Sequence, residues 1–396
     1  MKKHKEEPEV IVVGAGPVGL STALGLAHAG VRVHVYEAAR ALSTDARAST
    51  IHPPTLEAWD RWGVASAIVA AGVRVDQLQY WEWRSRSKIA EYDYASIAGD
   101  TPYPFRLQCP QHRVIPILAD ALIRTGCARL LFGHELRSVE VTEGGVIADV
   151  QTERGPCRTR ARYVVGADGA KSAVRRSLGV AFEGKTYEDR FLLVPTALRP
   201  SELGFEGLGP VAYMFDPEQW VITMQVPGAL RIVFRLAPHE VSEEALRPER
   251  VAARVRRFLG RRPPPCESAP TIYSVHQRVA ERFRVGPVLL AGDAAHINNP
   301  AGGMGMNSGV HDAEALVDAL LATRAGADAA LDRYAETRRR VAVDRVQAHT
   351  ERHYRELGTD DRAARERRNA AYRHAASDPA LTRRWLLDRA MIGERA

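Results

Sequence analysis

Val10-Ile11-Val12-Val13-Gly14-Ala15-Gly16-Pro17-Val18-Gly19-Leu20 is the stretch that decides the fold. Its first four residues are apolar and β-branched, which predicts a strand buried on both faces. The strand stops at a glycine, and Ser21 to Ala29 follows with helical apolar spacing, closed by Gly30 as a C-terminal cap. Val31 to Glu37 then alternates as a second strand. Strand, glycine loop, helix and strand in that order form a βαβ unit, whose crossover is right-handed. Within it, Gly14 permits the tight turn, Gly16 lets a diphosphate approach the backbone, and Gly19 lets the helix lie close to the sheet. The helix N-terminus, opened by Pro17 and Val18, favours negative charge. Glu37, about twenty residues on and followed by Ala38, ends the second strand where its carboxylate can accept from ribose hydroxyls. Together these features predict a dinucleotide site. No second Gly-x-Gly-x-x-Gly follows a strand, so one nucleotide is held durably and any second visits transiently.

Around this unit the chain has 396 residues, enough for two or three domains at roughly 150 residues each. A hydrophobic content of 45% and a charged content of 26% are ordinary globular values and exclude collagen, disorder and membrane composition. The net charge is +7, and Leu331 to Ala396 supplies most of it, with 16 Arg against 11 acids. These arginines alternate with Asp and Glu, as in Asp360-Asp361-Arg362, which predicts a solvated helix face and no nucleic-acid partner. Cys109, Cys127, Cys157 and Cys266 are widely spaced, which suggests neither a disulfide framework nor a zinc site, and no metal is expected. The charged Met1 to Glu9 leads into too short an apolar run for a signal-peptide core, and no window approaches the ~18 apolar residues of a membrane span. The expectation is a cytoplasmic protein.

Further along, Thr55–Trp62 and Pro110–Arg124 read as helices, and the aromatic stretch Val75–Phe105 as an insertion into the dinucleotide fold. Leu136–Gln151 reads as a hairpin, and Arg162–Gly169 as a buried strand ending in a glycine turn. Trp220–Val226 and Leu230–Leu236 flank Pro227-Gly228-Ala229 as a second hairpin, in a sheet expected to keep one solvated face. Arg261–Pro265 reads as a stiff linker. Val288–Asp293 is another buried strand, and the remainder from His311 is helical.

Two more motifs follow the first in order, roughly 150 and 125 residues apart. Gly166-Ala167-Asp168-Gly169-Ala170-Lys171-Ser172-Ala173-Val174-Arg175-Arg176 resembles the Asp-Gly motif of single-component FAD-dependent aromatic hydroxylases, the class A flavoprotein monooxygenases with the para-hydroxybenzoate hydroxylase fold. Gly292-Asp293-Ala294-Ala295-His296, continuing from Pro300 through Gly302-Gly303-Met304-Gly305-Met306-Asn307 to Asp312, resembles the Gly-Asp motif of the same family. The resemblance runs from Val10 to about Arg340. It implies an α/β fold: a discontinuous Rossmann-like FAD domain (1–75, 105–180 and 280–345), an inserted mixed β-sheet substrate domain (76–104 and 181–279) and C-terminal helices (346–396).

The resemblance also assigns residues. Asp293 would accept from the ribityl hydroxyls, Gly303, Gly305, Met306 and Asn307 would border the flavin, and Pro300 would line the face where oxygen reacts. Arg47 and Gln111 match family positions that hold FAD, with Arg113 near the diphosphate; Asp168 would serve FAD and nicotinamide together, supported by Arg175, unless it only forms a turn. The implied reaction is NADH- or NADPH- and O2-dependent hydroxylation of an aromatic or heteroaromatic phenol through a flavin C4a-hydroperoxide. The implied partners are a small aromatic substrate and oxygen, with a homodimer left open. His296 reads as a packed histidine behind the flavin loop.

Inference is thinner for the substrate pocket, expected between the inserted sheet and the flavin. Tyr213, Met214, Trp220, Met224, Gln225 and Arg235 are its wall candidates, with His52, Tyr103 and Phe105 from other segments. Tyr213 is the preferred group for phenol polarisation, and Arg235 a carboxylate clamp. Three rivals stay open. A flavin-dependent halogenase would want Trp-x-Trp-x-Ile-Pro, of which Trp81-Glu82-Trp83 supplies only the tryptophans. The others are an isoprenoid-type reductase and a non-catalytic FAD-binding scaffold.

Overall fold

The structure, a computed structural model, describes residues 7–46, 48–216, 219–263, 266, 268–300, 302–327, 329–357 and 361–393. Val10–Val13 lies inside a six-stranded sheet and pairs in parallel with Val33–Glu37 on one side and Tyr163–Gly166 on the other. Ala128–Phe132 and Val288–Leu290 extend it in parallel on either side, and Arg284–Val285 closes one edge antiparallel. The helix Pro17–His28 covers this sheet together with Gln111–Arg124 and Gly305–Arg324. All three glycine-bearing loops therefore leave the sheet at the C-terminal ends of adjacent parallel strands, where ligands bind in doubly wound folds. The hairpin read at Leu136–Gln151 is present as Glu135–Thr142 and Gly145–Thr152, with Gly155–Ala161 as a third strand.

The second large sheet has eight strands, in the order His296–Ile297, Thr271–Ala280, Phe182–Thr196, Ala229–Leu236, Val221–Val226, Val211–Phe215, Gln77–Glu82 and Ser87–Asp93. It is mixed, because Val211–Phe215 runs parallel to Gln77–Glu82 while its other pairs are antiparallel. The expectation of one solvated face fails here. Alternate residues Ala212, Met214, Ile232 and Phe234 pack under the helix Pro248–Leu259. Val211, Tyr213, Phe215 and Val233 pack on the opposite face with Tyr372, Leu386 and Ala390 from the C-terminal helices. Period-two patterning tells the two faces apart but does not tell which of them another element covers.

Those C-terminal helices, Arg362–Ser377 and Pro379–Arg389, begin at Asp361 and Asp378, whose carboxylates accept from the first-turn N–H groups. They follow Ala330–Val341 and Ala348–Leu357, joined by a π-helical turn at Ala342–Gln347. The solvated-face reading of this arginine-rich region also needs correction: Arg338, Arg368 and Arg389 are buried. Interleaved charge marks the exposed positions well, but a single inward arginine leaves no trace in the pattern. Part of the linker read at Arg261–Pro265, namely Pro264 and Pro265, lies outside the described residues.

Candidate active site

Each glycine loop is shaped by a specific close approach. Gly14 has φ +103°, and a Cβ there would lie 2.4 Å from the Ala167 carbonyl oxygen. A Cβ on Gly19 would lie 2.0 Å from the Gly14 oxygen. Gly16 differs, since a Cβ on it would meet nothing within 4 Å. No protein atom requires glycine at that position, which leaves the space beside it for a ligand. The helix that follows starts with Pro17 and has neither a side-chain cap nor an acid in its first turn, so its leading N–H groups and positive dipole end await an acceptor. Glu37 stands beside it, accepting from Ala15 N–H at 2.8 Å and Ala39 N–H at 2.9 Å; Ala38 is exposed.

The Gly-Asp loop is held from behind. Asp312 Oδ2 accepts from Gly292 N–H at 3.0 Å and lies 2.7 Å from His296 Nε2, while its Oδ1 lies 2.7 Å from Arg338 Nε. Against burial, which alone would raise it, His296 and Arg338 hold the Asp312 carboxyl down to about 2. Val18 fills the notch between Gly292 and Gly309, where a Cβ on either glycine would strike its side chain. This clamp leaves Asp293 exposed on the far side of the loop. His296 is thus the packed histidine expected, and no cluster of three potential metal ligands exists among the described residues.

The helix Gly305–Arg324 is also uncapped, with no acid in its first turn. Its first intrahelical bond runs from Ser308 N–H to Met304 O, so the N–H groups of Gly305, Met306 and Asn307 precede the ladder. Asn307 is fully buried and its side chain is used within the protein. It donates to Thr50 O at 2.9 Å and Gly303 O at 2.7 Å, and accepts from His52 N–H at 2.8 Å and Thr55 Oγ1 at 2.7 Å. Only its backbone N–H remains for a cofactor. Gly303 turns at φ +70°, bonded to the carbonyl of the exposed Pro300.

Asp168 Oδ2 caps the short helix Ala173–Ser177 through Ala173 N–H at 2.6 Å and Val174 N–H at 3.2 Å, so the turn-forming role is real; its Oδ1 is buried without a partner. Arg175 donates to Ala170 O and Ala294 O, both at 2.7 Å, tying the Asp-Gly loop to the Gly-Asp loop. Gln111 opens its helix half-buried, and Arg113 is exposed in the same turn. Arg47 lies outside the described residues. The space beside Gly16, the two uncapped helix starts and the partnerless Asp168 oxygen fit an extended dinucleotide.

On the substrate side the structure separates the candidates. Tyr213, Trp220 and Met224 belong to the sheet face toward the C-terminal helices. Met214 packs on the opposite face, and Gln225 alternates to that side as well. Arg235 is not free to clamp a ligand, being ion-paired with Asp189 on the neighbouring strand at 2.9 Å. His52 is a lock between loops, with Nε2 2.9 Å from Gly302 O. Tyr103 and Phe105 pack against each other. Trp81 and Trp83 are buried, their indoles donating to Gln79 Oε1 and Gln219 O. Sequence reasoning missed Asp312 as a clamp, Arg338, and the buried group of Arg106, His349, His353 and Arg389. Asp312 ends the Gly-Asp motif, where nothing in the spacing marks it as a clamp, and the others belong to no motif.

Comparison with known proteins agrees with this geometry. The family described as FAD binding domain matches residues 7–349. The chain belongs to that family, and with its relatives it forms part of the FAD-dependent aromatic hydroxylases, which are monooxygenases. Para-nitrophenol 4-monooxygenase of Pseudomonas sp. (strain WBC-3) is 33% identical over 386 residues, covering 96% of this chain and 94% of that protein. The 6-hydroxy-3-succinoylpyridine 3-monooxygenase HspB of Pseudomonas putida is 34% identical, with 78% of each chain covered. Among solved structures, p-nitrophenol 4-monooxygenase PnpA from Pseudomonas putida DLL-E4 superposes with a TM-score of 0.90 at 33% identity, over 97% of this chain and 98% of that one. The halogenase, reductase and scaffold alternatives are not favoured by these relatives. No helix among the described residues is long and apolar enough to cross a membrane.

Proposed function

We propose that this enzyme hydroxylates a phenol or phenol-like heteroaromatic compound, and that its nearest substrates are single-ring phenols, as the name of the para-nitrophenol relative suggests. The observation that carries this reading is the meeting of two halves at His52. That residue bonds the flavin-side loop at Gly302 and Asn307, and its strand neighbours Thr50–Ile51 pair with Arg106–Gln108, which border the substrate sheet. In this reading Gly14, Gly16, Pro17, Val18 and Gly19 receive the diphosphate. Glu37 and Ala38 take the adenosine ribose, Arg47, Gln111, Arg113 and Asp168 flank the chain of the cofactor, and Gly292 with Asp293 takes the ribityl group. Pro300, Gly303, Gly305, Met306 and Asn307 border the ring. Residues 1–75, 105–180 and 280–345 form the FAD domain, 76–104 and 181–279 the substrate domain, and 346–396 the C-terminal helices.

FAD, held by the residues named above, would supply the redox chemistry between NADH or NADPH and O2. The protein's own residues bind and orient. The uncapped N-terminus of Gly305–Arg324 favours negative charge at the ring edge. Tyr213 polarises the substrate hydroxyl, and Pro300 shapes the face where oxygen arrives. Arg235 has no part in this while Asp189 holds it. A cytoplasmic setting is supported by four cysteines of which none is paired, and a homodimer is compatible with it.

The test is anaerobic reduction of the holoenzyme by NADH or NADPH with a panel of phenols and N-heteroaromatics. One or more should accelerate flavin bleaching and yield a hydroxylated product once oxygen is admitted. If none does, the hydroxylase reading fails.

A further inference from the structure

Among the described residues only two that are not glycine turn into the left-handed region, Arg86 at φ +54° and Met391 at φ +61°. Arg86 is exposed in the tight turn between Gln77–Glu82 and Ser87–Asp93. Met391 is fully buried and stands just after Ala390, the C-cap of the helix Pro379–Arg389. Glycine is the usual residue at that position, because a Cβ disfavours the left-handed turn. Such a conformation persists only where the surrounding structure fixes it. Glycine would serve the backbone better, so the methionine is there for its side chain.

That side chain completes a small buried cluster with Met304, Val341 and Val346. Val341 ends the helix Ala330–Val341, and Val346 lies in the π-helical turn Ala342–Gln347. Residues five apart in an α-helix point about 140° from each other; the wider π turn brings the two valines toward one side. Arg345 of the same turn donates to Gly393 O at 2.6 Å, which fastens the chain just past Met391. Two rare backbone features thus serve one cluster, whose remaining member is Met304, the residue before the uncapped helix Gly305–Arg324. The Met304 carbonyl accepts the first bond of that helix, from Ser308 N–H at 2.8 Å. Its side chain reaches under the flavin-side loop, where a Cβ on Gly302 would lie 3.5 Å from Met304 Cε. Ala390, one residue before Met391, packs instead with Tyr213 and Val233 of the substrate sheet. The left-handed turn is therefore where the C-terminal helices pass from one half of the molecule to the other.

Resting on the placement of the flavin ring at this helix start, we infer that Met391 is a positioning residue for the cofactor: through Met304 it holds the leading N–H groups of Gly305–Arg324 against the ring edge. Their position matters because the partial positive charge of a helix N-terminus acts on an anion only within about the first turn. Reduced flavin carries more negative charge at that edge than oxidised flavin, so a loosened helix start weakens binding of the reduced form more.

The experiment compares the full-length, FAD-loaded wild type with M391G and M391L. The two-electron midpoint potential of the bound flavin is measured by equilibration with reference dyes, and stability by urea unfolding. M391G relieves the backbone and empties the cluster. It should weaken reduced FAD at least about threefold more than oxidised FAD, which lowers the midpoint by about 15 mV. M391L refills the cluster and should restore the wild-type potential. A methionine that only fills space predicts a different division, with lower urea stability and an unchanged potential. That result, or a lowered potential that M391L does not restore, would overturn the assignment. If M391G does not fold unaided, the same readouts are taken in trimethylamine N-oxide, which favours the folded state; failure to fold even there would overturn it too. G305D separates the inference from the placement it rests on, because an acid at the helix start lowers the potential of a ring bound there whether or not Met391 matters. A shift in G305D with none in M391G keeps the placement and rejects Met391. No shift in G305D rejects the placement, and the inference with it.

Discussion

Arg338 and Arg106 are buried to the same degree, 1% and 2% exposed, in opposite company. Arg338 lies behind the cofactor loop against the Asp312 carboxylate, which also holds His296 and the Gly292 backbone. Arg106 lies beside tyrosines and neutral histidines, and no acid is paired with it among the described residues. The cofactor half settles its charges internally and so builds a rigid cradle for a ligand of fixed shape. The substrate half keeps a buried cation, Arg106, with no carboxylate paired to it among the described residues.

The comparison is broken most directly at Arg338. Replacing it with Met leaves a buried carboxylate with half its compensation, and R338M should lose about 3–5 kcal/mol of stability in urea unfolding of the holoenzyme. R106M, by contrast, should lose none. Equal losses in the two variants would erase the distinction.

Gly14 and Gly16 sharpen it within the cofactor half. G14A places a Cβ 2.4 Å from the Ala167 oxygen at a φ of +103° and should not yield folded protein. G16A meets no protein atom, so it should fold with unchanged apoprotein stability. Its methyl group crowds the diphosphate instead, and losing one charge-assisted hydrogen bond, about 1.5–3 kcal/mol, should weaken FAD binding tenfold or more. Fluorescence titration of apoprotein with FAD measures it; unchanged affinity would mean the space beside Gly16 is not the diphosphate's.

The two halves also differ in how they could be read from sequence. The cofactor cradle depends on backbone geometry that only glycine provides, and glycines at fixed offsets after apolar strands are visible as text. Gly14, Gly19, Gly292 and Gly303 each meet a close approach or a left-handed turn in the structure. The buried cluster on the substrate side depends on side chains brought together from Arg106, Tyr213, His353 and Arg389, across 283 residues from Arg106 to Arg389, and no spacing rule connects them. Asn307 shows a third case: its place in the motif was legible, but its saturated side chain was not. The arginine-rich end was misjudged for a related reason, since Arg368 and Arg389 differ from their solvated neighbours only in which side of the helix meets the sheet.

Asp312 gives the pH dependence of the cofactor half. With its folded carboxyl held at about 2 against an ordinary value near 3.9, the deprotonated form stabilises the native state by about 2.6 kcal/mol. The sign follows from the depression: the contribution is whole above about pH 4 and is lost as pH falls through 2. Urea unfolding between pH 5 and 2 should show it in wild type. R338M should show a shallower decline, because removing one of the two cations brings the carboxyl back toward its ordinary value; an identical slope would mean Asp312 is not the group responsible.

The smallest effect is expected at Arg235, the third arginine of the comparison. It is partly exposed, 26% for the side chain, and already carries Asp189 at 2.9 Å. R235A leaves the buried Asp189 carboxylate without its cation and should cost about 1–3 kcal/mol of stability, yet leave the Kd of simple phenols unchanged. The discriminating measurement is the Kd of a phenol bearing a carboxylate. For Arg235 to clamp such a ligand it must first leave Asp189, which would then lie buried and unpaired, so the gain from the new pair is offset by the loss of the old one. No more than a few-fold change is expected for the acid as well. A tenfold loss confined to the acidic phenol would show that Arg235 exchanges partners, and that the substrate half holds a cation available to a ligand.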